Sequence, residues 1–327
     1  MKKLSVVVLV LVVMLVGMMA GCGGSKSNSD SDSSSDKSSD KKLKIALSMS
    51  ERDQFLSSME KAASDKADEL GVDLTVQDAQ KDVQRQLDQV KSFVSQGFDA
   101  IIVNIVEVDT AESIIDAAGD IPVVFVNRQP AEDLLVEGKD VTVVSDEFEG
   151  GKLQAEYIAE LFKDKDPKTL DAAILLGIIG HPGTIGRTDG VKAGLEEAGF
   201  TLNVQFEDTA EFDRAKAMQL IQQFLGTNKH IDVIVANNDE MALGAIEALK
   251  AVGKTTADIP VIGFDGTSEG IRSVKEGEMT ATILQNAVEQ GAHSVTAAIG
   301  LANGDDVEKI DLIPFDVITK ANVADFE

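Results

Sequence analysis

The sequence predicts an α/β fold of two Rossmann-like lobes, each built on a parallel sheet. Three observations carry this. Apolar runs of four to seven residues alternate with amphipathic runs of ten or more, the pattern of βαβ units. The short runs are continuous in Val and Ile rather than alternating, which fits strands buried on both faces. The tetrapeptide Asp120-Ile121-Pro122-Val123 recurs as Asp258-Ile259-Pro260-Val261, each time after a strand and a helix, so the plan is used twice.

The chain opens with Lys2 and Lys3, an unbroken apolar run from Val6 to Val16, and the small residues Ala20 and Gly21 before Cys22. A charged start, a short apolar run and a small-residue cut site make a secretory signal over residues 1–21. A membrane span needs ~20 apolar residues, and this run is too short. Cys22 is the only cysteine in 327 residues, so the exported chain has no internal disulfide and must hold itself together by packing. Residues 22–42 form a tether. Ser25 to Lys42 holds only Ser, Asp, Lys and Asn, and nothing there offsets the entropy of ordering, so disorder is expected.

From Leu43 the elements follow in order. Leu43–Met49 reads as a strand, Gln54–Leu70 as a helix stopped by Gly71, Val72–Val76 as a strand, and Asp82–Gln96 as a helix stopped by Gly97. Ala100–Val103 is a strand, Asp109–Ala118 a helix and Val123–Val126 a strand. The second half gives Ala172–Leu176, Leu202–Phe206, Val233–Ala236 and Val261–Phe264 as strands. Its helices are Thr184–Ala198, Arg214–Leu225 and Glu240–Ala251, and Thr280–Leu284 adds a further strand.

Composition narrows the function. The net charge is −26, which repels nucleic acid phosphates, anionic membrane surfaces and acidic ligands. There is no Trp and one Tyr, so any stacking surface must come mostly from the thirteen Phe. Three His (181, 230 and 293) make no metal-spaced cluster. No nucleophile elbow, phosphate loop or nucleophile–base pair is present. No enzyme, cofactor or metal site is expected.

In open α/β sheets, ligands bind beyond the carboxyl ends of the strands. The residues that follow the strands are Asp53 and Phe55, Asn104, Asn127 and Arg128, His181 and Arg187, Phe212, Asn238, Asp265 and Gln285. Asn, Asp, Arg and Gln pair with sugar hydroxyls, which both donate and accept, and Phe packs on the C–H faces of a ring. Taken singly, each has a plain structural reading. Asp239 reads as a first-turn acid of a helix, Asn104 as a cap, the two Arg as ion pairs and His181 as a loop residue. Their convergence is what points to a binding site.

Four segments then resemble a known family: Ala236-Asn237-Asn238-Asp239-Glu240-Met241-Ala242-Leu243-Gly244-Ala245, Val261-Ile262-Gly263-Phe264-Asp265-Gly266-Thr267, Asn127-Arg128-Gln129-Pro130 and Glu211-Phe212-Asp213-Arg214. In this order they resemble the type I periplasmic sugar-binding proteins of ABC transporters, the ribose- and glucose/galactose-binding group, over essentially all of Leu43–Glu327. Met19-Ala20-Gly21-Cys22 likewise resembles a lipoprotein signal in which Cys22 becomes the lipidated first residue.

The resemblance implies two lobes, 43–145 plus 286–312 and 146–285 plus 313–327, joined by a three-segment hinge with the ligand between them. Phe55 and Phe212 would sandwich the ring, and the other candidates would hold its hydroxyls. The ligand would be a monosaccharide, either a ribose-like pentose or a glucose/galactose-like hexose. Asn127 and the Gly180-His181-Pro182 turn match the hexose group, whereas Leu56, Gly183 and Phe212 each depart from one group or the other. Lys and Pro stand where the family's calcium loop needs ligands, in 163–171. The implied partners are the permease subunits of an ABC importer, and the membrane through Cys22. The chain would be a monomer, exported and held by lipid on the outer face of the cytoplasmic membrane. The alternative reading is a receptor for a sugar, polyol or signalling molecule that feeds a sensor kinase. The same fold forms repressors, but those begin with a helix-turn-helix, and this chain does not.

Overall fold

A computed structural model describes residues 42–326. The expectations for the signal, for Cys22 and for the tether up to Lys41 fall outside the described residues. The first half runs β1 (Lys44–Met49), α1 (Gln54–Leu70), β2 (Asp73–Asp78), α2 (Val83–Ser95), β3 (Ala100–Val103), α3 (Ala111–Ala118), β4 (Val123–Val126) and β5 (Asp140–Val144). The chain continues with α4 (Glu147–Leu161), β6 (Thr169–Leu176), α5 (Pro182–Glu197), β7 (Thr201–Thr209), α6 (Arg214–Leu225) and β8 (Val233–Ala236). Then come α7 (Asp239–Ala251), β9 (Val261–Asp265), α8 (Ser268–Glu276), β10 (Ala281–Gln285), α9 (Ala287–Asn303), β11 (Ile310–Leu312) and β12 (Phe315–Thr319).

The strands form two six-stranded sheets. One has the order β11-β5-β4-β3-β1-β2, with every pair parallel. The other has the order β12-β10-β9-β8-β6-β7, parallel except where β12 runs against β10. The first five strands of each half follow one plan, 2-1-3-4-5, with a switch point beside the first strand. The repeated Asp-Ile-Pro-Val enters β4 and β9, which hold equivalent places in the two plans. The continuous apolar strands are buried on both faces, as expected: Ile101, Ile102 and Val103 are 0% exposed, and so are Val233, Ile234 and Ala236. The chain passes between the sheets three times, at Ser145–Asp146, at Asn286 and at Ile313–Pro314.

One helix pair does most to position the site. Helices α4 and α5 press together along glycines. Gly186, Gly190 and Gly194 line one edge of α5, and Gly151 faces them from α4. A methyl on Gly190 would overlap the carbonyl oxygen of Phe148, and one on Gly151 the carbonyl oxygen of Arg187. A methyl on Gly186 would lie 2.6 Å from Glu147 Cβ. Only glycine allows backbones this close. The close approach lays Glu147, the first residue of α4, against Arg187 in the second turn of α5.

Candidate functional site

The carboxyl ends of both sheets face a cavity of about 180 Å³. On one wall, Asp53 caps α1, its carboxylate accepting from the Leu56 amide at 2.7 Å, and Phe55 follows in the first turn. Asn127 and Arg128 leave β4, Glu51 follows β1, and Lys81 follows β2. On the other wall, His181 caps α5 and Arg187 projects from it. Phe212 follows β7, Asn238 caps α7, and Asp265 and Gln285 end β9 and β10. Ten of the eleven residues expected from the sequence therefore line one cavity.

Asn104 is the exception. It is 0% exposed and lies behind the wall. Its Oδ1 accepts from the Ser50 hydroxyl at 2.6 Å and the Ser50 amide at 3.2 Å, and its Nδ2 donates to the Val126 carbonyl at 3.2 Å. It ties the end of β1 to the end of β4, the two strands that carry Asp53 and Asn127.

The second wall is a network around Arg187, which is 5% exposed. Its Nε donates to Glu147 Oε2 at 2.7 Å. Its Nη1 donates to the Asn237 carbonyl at 2.6 Å and to Asp265 Oδ1 at 3.1 Å. Its Nη2 donates to Gln285 Oε1 at 2.9 Å and Glu147 Oε1 at 3.3 Å. Gln285 Nε2 closes the ring on Glu147 Oε1 at 2.8 Å, and the guanidinium lies 3.9 Å over the Phe264 ring. Burial alone would lower Arg187, but Glu147 and Asp265 outweigh it and hold the guanidinium above its ordinary value. Burial pushes Asp265 well above the usual carboxylate range, a rise that Arg187 opposes.

On the first wall, Arg128 Nη1 donates to the carbonyls of Ile105 and Val106 at 2.9 and 3.0 Å, and its Nη2 stands 3.6 Å from Glu51. Lys81 Nζ lies 2.7 Å from the other Glu51 oxygen. Burial lowers Arg128, with Glu51 and Asp53 pulling it back. His181 Nδ1 accepts from the Gly183 amide at 3.0 Å, and its ring meets Phe212 edge-on at 5.3 Å between centroids. Burial, then Arg128 and Arg187, push this imidazole down to about 3, so it is neutral at ordinary pH.

Five cavity residues hold left-handed backbone: Lys81 (φ 61°), Asn127 (φ 70°), Glu211 (φ 54°), Phe212 (φ 61°) and Asp265 (φ 109°). Such backbone is uncommon outside glycine and gathers where structure holds a side chain for a task. Asp239, by contrast, is a buried brace. Its carboxylate accepts from Thr267 N (2.8 Å), Thr267 Oγ1 (2.9 Å) and Thr282 Oγ1 (2.6 Å), and burial pushes it up to about 6. It secures the turn after Asp265.

Glu51, Lys81 and Glu147 are lining residues that the sequence reading did not include. Glu147 follows β5, so reading beyond every strand end finds it once β5 is recognised. Away from the cavity, Asp171, His230 and Asp232 gather within 4.8 Å, where the sequence suggested no metal cluster. The Lys165 ammonium, 2.7 Å from Asp232, already places a cation there.

The sequence pattern of the family described as periplasmic binding protein domain matches residues 45–306. A protein of Rhizobium meliloti assigned to rhizopine binding is 35% identical over 260 residues, 79% of this chain and 83% of that one. The ribose import binding protein RbsB of Bacillus subtilis is 32% identical, covering 84% of this chain and 87% of its own. A solved ABC transporter solute-binding protein from Bacillus halodurans with bound myo-inositol is 38% identical. It superposes with a TM-score of 0.80 over 87% of this chain and 97% of its own. With two lobes of this topology around one polar cleft, the chain belongs to the periplasmic binding protein family, a family of solute-binding proteins rather than enzymes.

Proposed function

We propose that this protein captures a compact polyhydroxylated ring, a monosaccharide of pentose or hexose size, between its two sheets and hands it to the permease subunits of an ABC importer. The observation that carries the reading is the convergence of Asp, Asn, Arg and Gln side chains, with Phe55 and Phe212, on one cavity of about 180 Å³. That is below the roughly 300–1,000 Å³ of sites for drug-sized ligands. Phe55 and Phe212 take the ring faces, and the polar groups take the hydroxyls. The segments 43–145 plus 286–312 and 146–285 plus 313–327 act as lobes that move about the three crossings. A cyclic polyol such as an inositol is a second reading, favoured by the solved neighbour with bound myo-inositol. A thermal-shift and calorimetry panel of pentoses, hexoses and inositols tests both. One class should raise the melting temperature and titrate at one site, and no response from any member would overturn the proposal.

The protein works as a monomer outside the cell, tethered by lipid on Cys22. This rests on the signal-like start and the lone cysteine. Cys22→Ala should move the protein from the membrane to the soluble fraction, and a variant still wholly membrane-bound would defeat the assignment.

A further inference from the structure

We infer that Gln290, which does not line the cleft, is a positioning residue: it sets the cleft-facing amide of Asn127 and ties it to the hinge. The inference rests on the proposed function in one respect, that Asn127 contacts the solute.

An amide side chain has two flips, which exchange a donor for an acceptor, and its partners fix the one adopted. Here the partners can be followed outward from the backbone. Asn104 Oδ1 accepts from the Ser50 amide and its Nδ2 donates to the Val126 carbonyl, and neither backbone group can reverse its role. Asn104 Nδ2 therefore faces Asn127 as a donor, 3.5 Å from its Oδ1. That turns Asn127 Nδ2 toward Gln290 Oε1, to which it donates at 3.2 Å. Gln290 Nε2 in turn donates to Ser145 Oγ at 3.0 Å. Asn104 and Gln290 are 0% exposed and Ser145 4%, so solvent is not at hand to replace a lost partner. Asn127 alone of the four lines the cleft, and its left-handed backbone needs its surroundings to hold it.

The far end of this relay is the hinge. Ser145 stands just before the Asp146 crossing. Gln290 stands one turn beyond the Asn286 crossing, its backbone amide donating to the Asn286 carbonyl at 3.0 Å. On the other wall Gln285, just before Asn286, donates to Glu147, just after Asp146, at 2.8 Å. Each wall thus pins its own ends of the two crossings together. Asp146 and Asn286, both helix N-caps, are left between the ties as pivots. On the second wall the tie is made by a residue of the cleft itself. On the first it is made by Gln290 behind the cleft, and Asn127 is the member a solute can touch.

Two double-mutant cycles on the full-length protein test this. Gln290→Met keeps the length of the side chain and removes both polar atoms. Asn127→Gly drops the other amide at a φ of 70° that glycine adopts freely. In the first cycle the empty protein is unfolded by denaturant. The fall in folding constant caused by Gln290→Met should be about threefold or more larger in the native background than in Asn127→Gly. In the second cycle D-ribose, D-galactose and myo-inositol are titrated by calorimetry. For a probe that binds, Gln290→Met should weaken affinity about fivefold or more in the native background and less than about twofold in Asn127→Gly, because nothing is left to position. A merely structural role would weaken it equally in both. Ser145→Ala should show the same dependence on Asn127, and native affinity in that variant would overturn the tie to the hinge. Additive effects in either cycle overturn the inference. Where no affinity can be measured the first cycle decides alone, and silence from all three probes on the native protein counts against the proposed function rather than the relay.

Discussion

Arg187 holds the second wall together because one guanidinium serves four acceptor groups at once: two carboxylates, an amide and a backbone carbonyl. Removing it leaves Glu147 and Asp265 close together without their cation. Breaking a buried pair from one side costs more than the pair was worth, because the stranded charge cannot be rehydrated. Arg187→Ala should therefore weaken ligand binding by at least about thirty-fold, the equivalent of ~2 kcal/mol, and also lower the melting temperature of the empty protein. Calorimetry returning native affinity would remove Arg187 from the site. His181 makes a separate, pH-dependent contribution. Its Nδ1 must stay unprotonated to accept from Gly183, and its folded value near 3 lies below the ordinary imidazole value of 6.5. Between those values the unfolded chain binds a proton that the folded one refuses, so stability falls as pH drops from about 6.5 toward 3. The slope from this group is up to ~1.4 kcal/mol per pH unit. Denaturant melts of the empty protein from pH 7 to pH 4 should show a steeper loss in the native protein than in His181→Gln. Parallel curves would mean that the imidazole is not held neutral.

At the level of elements, the α4–α5 seam sets how close Glu147 comes to Arg187. Gly190→Ala places a methyl on the Phe148 carbonyl oxygen, and backbone cannot yield as a flexible side chain would. Overpacking of this kind costs ~1–3 kcal/mol. The variant should melt several degrees lower and lose affinity as well, since the helices must part where the ion pair sits. Unchanged melting by circular dichroism would show that the helices have slack. The same seam explains what the sequence concealed. Gly151 inside α4 serves the close approach to Arg187 of α5, and Gly150 makes room for the rings of Phe264 and Phe315, purposes that lie far along the chain. β5 escaped with α4, and Glu147 escaped with both. β11 and β12, of three and five residues, are too short to show a period. β7 runs on to Thr209, past its expected end at Phe206, because it is a sheet edge where polar residues are tolerated. The interior strands β1, β3, β4, β8, β9 and β10 were legible at nearly their true bounds, since burial on both faces leaves them mostly apolar. The site was legible for a related reason: strand ends in this topology converge, so the residues that follow them can be read in order. Asn104 obeyed that rule and was still turned to bracing, which only its partners reveal.

At the scale of the molecule, the charged groups of the cleft bond within their own wall. Glu51, Lys81 and Arg128 pair on one side, and Glu147, Arg187, Asp265 and Gln285 on the other. The walls share three chain crossings, at Ser145–Asp146, Asn286 and Ile313–Pro314. A ligand that touches Asp53 and Asn127 on one side and Asn238 and Asp265 on the other adds bonds that span the gap. Its differential affinity for the closed arrangement is what shifts the population, and nothing else about it can. A hinge of a few residues between two rigid lobes is the kind of joint that permits such closure. With saturating ligand the radius of gyration measured by small-angle scattering should fall. The fall should be lost in Asp265→Ala at the same ligand concentration, because that variant cannot bridge the walls. An unchanged radius, with binding shown by calorimetry in the same sample, would mean that the cleft is preformed. A permease would then have no difference in shape by which to tell a loaded protein from an empty one.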